Sequence, residues 1–210
     1  MSGITRGAKK LLPKAVKRFV LLDVLGIRRS YRNQRLHASR VFLEREILPW
    51  LAARRSRVLF VGTAPYTCQF ERLFRRSRDQ YTTIDPDPGT AVWGARRHIV
   101  GPIQEIARHR PEGYFDCIVF NGVFGFGIDD VDDQRAVARV LHDALAPGGL
   151  LLVGWNTNLM SDPEELGLFT PYFVPAEGLP WPQRTRFSLP ETHVYDFYIR
   201  RPGAGIRAAS

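Results

Sequence analysis

Between residues 57 and 155, short apolar runs that stop abruptly at a glycine or a polar residue alternate with segments of helical spacing. Arg57–Gly62, Gln80–Asp85, His98–Val100, Phe115–Asn121 and Leu150–Trp155 carry few polar interruptions, as strands buried on both faces do. Gln69–Arg76, Trp93–Arg97, Ile103–Arg108 and Asp132–Leu145 read as helices or helical turns between them. The last of these places Val137, Val140, Leu141 and Ala144 on one face. Ala146–Gly149, with its proline and two glycines, stops that helix. This alternation predicts an α/β domain with a mostly parallel sheet and right-handed crossovers.

The two ends of the chain differ. Residues 10–25 set Leu12, Ala15, Val16, Phe19, Val20 and Leu22 against Lys10, Lys14, Lys17 and Arg18, the spacing of a helix with a basic face. A second helical stretch, 30–53, carries Tyr31, Leu36, Val41, Phe42, Ile47 and Leu51 on one side. Ser161–Pro190 holds six of the fifteen prolines and reads as a loop-rich insertion. Thr185–Leu189 and His193–Arg201 then read as an antiparallel strand pair at one sheet edge, turning at Pro190 and Glu191. The expected division is a basic helical extension over 1–53, an α/β domain over 54–202 and a disordered tail over 203–210.

The net charge of +9 is concentrated in that extension. Residues 1–40 hold eleven basic side chains against one acid, Asp23, whereas 41–210 hold nineteen basic and twenty acidic ones. A near-neutral body without a basic patch or stacking motif argues against nucleic acid as a partner. The second helical stretch reads as a lid packed on the domain. Residues 10–25 suit either such a lid or peripheral contact with an anionic membrane. Two cysteines, Cys68 and Cys117, exclude a disulfide framework and a cysteine-based zinc site. With no secretory signal or spanning segment legible, a cytoplasmic chain is expected, with membrane-peripheral placement as the variant.

Ligands of open parallel sheets bind beyond the carboxyl ends of the strands. Gly62, Thr63 and Ala64 follow the first run; Asp85, Pro86 and Asp87 follow the second. Gly101, Pro102 and Ile103 follow the third; Asn121, Gly122 and Val123 follow the fourth. Gly62 permits a sharp turn and close backbone approach to a ligand. Asp85 suits an ionised acceptor that takes both ribose hydroxyls of a nucleoside, although Asp85–Gly89 also suits a plain turn.

The ordered set resembles the class I S-adenosylmethionine-dependent methyltransferases over residues 57–201. Val58–Gly62 is similar to their first strand and glycine loop, Ile84 and Asp85 to the ribose-binding acid, and Phe115–Gly122 to the fourth strand. Leu145–Val153 is similar to their proline-glycine-glycine turn into strand five, and the terminal strand pair to their antiparallel finish. The acid and three glycines of the family's first motif fall at Phe60, Gly62, Ala64 and Tyr66, so only one glycine remains. Pro65 removes a backbone donor, and Gly101 stands where an acid often meets the adenine amino group. The resemblance implies a Rossmann-like methyltransferase fold and S-adenosyl-L-methionine as cofactor, contacted by the strand-end residues named above. It also implies methyl transfer to a small-molecule or glycan-like acceptor, at oxygen.

Within that reading Asn121 faces cofactor or acceptor, and His193, beside the insertion, is the candidate general base. His37, His98, His109 and His142 read as surface or structural residues. Asp129, Asp130, Asp132 and Asp133 directly precede a helix and read as caps; no metal is expected. Trp155, Phe169, Tyr172, Phe173 and Trp181 suit either an apolar or sugar-binding pocket or the packing of the insertion. Two other classes compete: a non-catalytic methyltransferase-like binding or scaffold protein, favoured by the lost glycines, and a nicotinamide-dependent oxidoreductase, opposed by the missing Gly-x-Gly-x-x-Gly.

Overall fold

The computed structural model describes residues 13–21, 37–54, 56–74 and 80–201. The expectations for 10–12, 22–36 and the 203–210 tail lie outside the described residues. The apolar runs form strands β1 (Val58–Val61), β2 (Tyr81–Asp85), β3 (Arg97–Val100), β4 (Phe115–Asn121) and β5 (Leu145–Asn156). Three further strands follow: β6 (Phe173–Pro175), β7 (Arg184–Arg186) and β8 (His193–Arg200). They make one sheet in the order β3-β2-β1-β4-β5-β8-β6, with β7 also on β8. Strands β1 to β5 are parallel, and β8 runs antiparallel to its neighbours on both sides.

Side chains along each strand alternate between two cores. Leu59 and Val61 enter one with Ile118, Phe120, Leu151, Val153 and Trp155. Val58 and Phe60 enter the other with Val119, Leu152, Tyr195 and Phe197. The period of two makes each strand an apolar run, since both faces are covered. Four helices are described: α1 (Lys14–Phe19), α2 (Ala38–Phe42), α3 (Leu48–Ala53) and α4 (Val131–Ala144). A π-helical turn, Leu43–Ile47, joins α2 to α3 without leaving the helical region. Leu43, Ile47, Leu48 and Leu51 from this continuous segment are buried in the second core, so residues 38–53 are a layer of the domain. On the opposite face, α4 buries Val137, Ala138, Leu141 and Ala144. Asp130 caps α4, its Oδ1 accepting the Asp132 and Asp133 amides at 2.8 and 3.3 Å.

Several expectations shift. The helix expected over Gln69–Arg76 is a 3-10 segment, Pro65–Phe74. Strand five starts at Leu145 instead of Leu150, because the chain turns extended directly after α4 and pairs Leu145 with Phe115 before a register shift. The terminal pair is β7 with β8, but β8 lies inside the sheet on β5, leaving β6 and β7 at the edge. β6 lies within the proline-rich insertion. That insertion is tied down by Arg184, which reaches the fully buried Asp196 (2.5 Å) and also Asp162 (2.6 Å), while Trp155 Nε1 donates to Asp196 (2.8 Å). Trp155, Phe169 and Phe173 are core residues, and Trp181 packs on Phe42, Trp50 and Phe197, so these aromatics pack the insertion.

Candidate active site

Beyond the carboxyl ends of β1, β2 and β4, and beside the turn after β3, lies a cavity of about 460 Å³. Gly62, Thr63, Ala64, Asp85, Pro86, Gly101, Pro102, Ile103, Asn121, Gly122 and Val123 line it. Asp87 does not. Its side chain accepts the Gly89 amide at 2.7 Å and caps the 3-10 turn Pro88–Val92, outside the cavity. Val61, Ile84, Tyr66, Gln104 and Phe126–Ile128 complete the lining and were not legible as site residues in the sequence. Gly62 and Gly122 hold φ of +85° and +64°, a region that L side chains avoid. A Cβ on Gly101 or Gly122 would meet nothing within 4 Å, so these missing side chains leave open space beside the strand ends.

The first loop spends its donors on the protein itself. Gly62 donates to the Ile84 carbonyl (2.9 Å), Thr63 to Asp85 Oδ2 (2.7 Å) and Ala64 to Thr67 Oγ1 (3.2 Å); Pro65 has no amide hydrogen. Such a loop forms no phosphate-binding nest, which needs converging free N–H groups. Asp85, 9% exposed, also accepts the Asp87 amide on Oδ1 at 2.9 Å. The Thr63 hydroxyl has one proton, and its shortest contact is Thr90 Oγ1 at 2.9 Å, against 3.3 Å to Asp85. Each carboxylate oxygen of Asp85 therefore keeps an acceptor site. Among the described residues that line the cavity, Asp85 carries the only charged side chain.

A second cavity, of about 280 Å³, adjoins the first at Asn121. It lies between the start of α2 and the chain entering β8, lined by Ser39, Arg40, Asn156, Glu191, Thr192 and His193 among others. Glu191 shapes one wall: its carboxylate accepts the Ala38 and Ser39 amides at the helix start, which holds it below the usual carboxylate range. Arg40 stacks on the Tyr66 ring at 3.6 Å, joining the two cavities' outer walls.

The floor of the second cavity is a three-residue relay. His193 Nδ1 lies 2.7 Å from Asn156 Oδ1, and its Nε2 lies 3.0 Å from Asn121 Oδ1. Burial pushes the imidazole down to about 4, so the ring is neutral at ordinary pH. A neutral ring has one N–H, so one of the two amides turns and presents its NH2. Both ring nitrogens thus have a side-chain partner, Nδ1 in Asn156 and Nε2 in Asn121. Asn156 ends β5 as Asn121 ends β4, so the same rule of a polar residue closing an apolar run could have found it. Gly154 was missed as well. A Cβ there would overlap Asn121 Oδ1 and stand 2.9 Å from His193 Nε2, so its missing side chain makes room for the pair.

The remaining candidates have structural partners. His98 meets the Thr83 hydroxyl at 2.9 Å, and His142 packs on Tyr172 and Phe173. Cys117 is buried, which raises its thiol far above its usual range. Among the described residues no helix is long and apolar enough to cross a membrane.

No family model matches the chain, and no curated protein matches it in sequence. Among solved structures it is similar to the N-methyltransferase NodS from Bradyrhizobium japonicum WM9, at 18% identity, covering 74% of this chain and 93% of that one, with a TM-score of 0.55. It is also similar to 1,6-didemethyltoxoflavin-N1-methyltransferase from Burkholderia thailandensis, solved with 1,6-didemethyltoxoflavin and S-adenosylhomocysteine. That match has 17% identity, 91% and 92% coverage and a TM-score of 0.51. A TehB-like S-adenosylmethionine-dependent methyltransferase from Corynebacterium glutamicum matches at 14% identity, 73% and 87% coverage and a TM-score of 0.53. The chain has the class I methyltransferase fold.

Proposed function

We propose that this protein transfers a methyl group from S-adenosyl-L-methionine to a small polar acceptor held in the second cavity. The observation that carries the reading is one strand-end cavity with a single carboxylate, spent backbone donors and a direct junction with a polar neighbour at Asn121. A dinucleotide needs phosphate donors that the first loop lacks, whereas a sulfonium-bearing nucleoside does not. The residues fit it: Asp85 keeps an acceptor site on each oxygen for the ribose hydroxyls, and the side-chain-free strand ends at Gly101 and Gly122 leave room for the ligand.

When bound, the cofactor supplies a methyl group already activated by its positive sulfur, so alignment accounts for most of the catalysis asked of the protein. Asp85 holds the nucleoside end. Asn121, lining both cavities, orients the nucleophile, and His193 with Asn156 fixes the Asn121 amide. An oxygen acceptor, the atom expected from the sequence, must lose a proton, and neither an amide nor a fully engaged imidazole takes one readily. The relay suits a nucleophile whose lone pair is free beforehand: a neutral amine or ring nitrogen, or an oxygen that arrives ionised.

Calorimetry with S-adenosylhomocysteine tests the cofactor site. The intact protein binds it, and Asp85→Ala, losing two charge-assisted hydrogen bonds of about 1.5–3 kcal/mol each, weakens binding by roughly a hundredfold or more. No binding by the intact protein at millimolar ligand refutes the reading and leaves a non-catalytic binding protein.

A further inference from the structure

The basic N-terminal segment has no part in the site as described, yet two of its cations reach the segments that build the cofactor cavity. Arg18 Nε donates to the Val92 carbonyl at 2.7 Å and Nη2 to that of Gly94 at 2.6 Å, while Nη1 donates to that of Cys68 at 3.3 Å. Lys14, one helical turn earlier, donates to the carbonyls of Gly94 and Ala95 at 2.9 and 2.8 Å. Cys68 belongs to the 3-10 segment that follows β1; Val92 ends the 3-10 turn that follows β2. The Val92, Gly94 and Ala95 carbonyls stand at or just past the end of the Pro88–Val92 turn, where a helical backbone carries partial negative charge. One guanidinium fork thus ties together the two chain segments that leave the neighbouring strands.

The same 3-10 turn is wired to the ribose acid. Thr90, in its middle, receives the Thr63 hydroxyl at 2.9 Å, and the Thr63 amide donates to Asp85 at 2.7 Å. The Asp87 amide, at the turn's start, donates to the other oxygen of Asp85 at 2.9 Å. Both donors that aim the Asp85 carboxylate are therefore anchored in, or bonded to, a turn whose far end is held by α1.

From this we infer that Arg18, supported by Lys14, is a positioning residue for the cofactor: docking of the basic helix on the carbonyls after β1 and β2 holds Asp85 and Thr63 in binding geometry. The inference rests on the cofactor reading above. It also makes these two cations internal ligands of the domain instead of contacts for lipid phosphates.

The test compares the full chain with Arg18→Gln, Arg18→Lys and Lys14→Gln by calorimetry with S-adenosylhomocysteine, alongside amide hydrogen exchange. Arg18→Gln is expected to weaken binding by roughly tenfold, the scale of one charge-assisted hydrogen-bond set, and to speed exchange in residues 88–95 without ligand. Arg18→Lys keeps the charge but loses the fork, so it falls between Arg18→Gln and the parent protein. Its folded melting profile separates positioning from misfolding. A folded Arg18→Gln protein that binds within twofold of the parent overturns the inference. So does binding to phosphatidylglycerol vesicles that Arg18→Gln abolishes while ligand affinity stays unchanged. If the intact protein binds no S-adenosylhomocysteine, the cofactor reading fails by itself, and exchange decides the clamp: faster exchange in 88–95 supports it, unchanged exchange overturns it.

Discussion

Replacing Gly154 with alanine tests the Asn156–His193–Asn121 relay through a residue that touches neither cavity. A methyl group there would overlap Asn121 Oδ1 and crowd His193 Nε2. The Asn121 amide is the flexible partner, so it rotates away and leaves Nε2 buried without its neighbour. An unsatisfied buried ring nitrogen costs about 1–3 kcal/mol, and replacing a strand glycine returns about 0.5–1 kcal/mol. The net loss is about 1–2 kcal/mol, a melting-temperature drop of roughly 2–8 °C for a chain of this size. Urea denaturation of the intact protein, Gly154→Ala, Asn121→Ala and the double variant measures the coupling. With Asn121 shortened the more severe of the two overlaps is gone, leaving only the contact with His193 Nε2, so the double variant loses about 1 kcal/mol less than the sum of the singles. Additive losses, or a Gly154→Ala protein of undiminished stability, refute the packing argument.

Three further outcomes follow from the same structure. His193 is held near 4 by burial, against 6.5 when unfolded, so the folded state binds fewer protons between these values. Its share of stability is complete above about pH 6.5 and falls by about 3 kcal/mol as pH drops towards 4; urea midpoints across that range check it, and His193→Gln removes that component of the slope. Arg184→Met strands the buried Asp196 carboxylate and costs about 3–5 kcal/mol, with equal urea midpoints as the refuting result. Glu191→Gln removes the charge that caps the start of α2 and costs about 1 kcal/mol, which a thermal melt reads directly.

Much of the cavity was legible because strand ends announce themselves. A strand buried on both faces is an apolar run, and the first residue past its end is free to be polar or glycine. That logic marked Gly62, Asp85, Gly101 and Asn121, and all four line one cavity. Asp87 stood in the right place, but its side chain serves the turn that follows. Phe126, 63% exposed in a loop with positive-φ glycines at 125 and 127, gave no periodic signal at all.

Local pattern alone determined the α/β class, the five parallel strands and the ends at which a ligand could bind, because periodicity and strand termination are properties of neighbouring residues. Tertiary structure decided everything that depends on which distant residues meet. His193 reaches Asn121 across seventy-two positions, which joins the start of β8 to the end of β4. Arg18 reaches Val92 and Gly94 across seventy-four and seventy-six positions, which docks a helix of the basic segment on the chain that follows β2. The physical reason is the same in both cases. A hydrogen-bonding side chain declares only what it can donate or accept, and the crossovers and sheet register choose its partner.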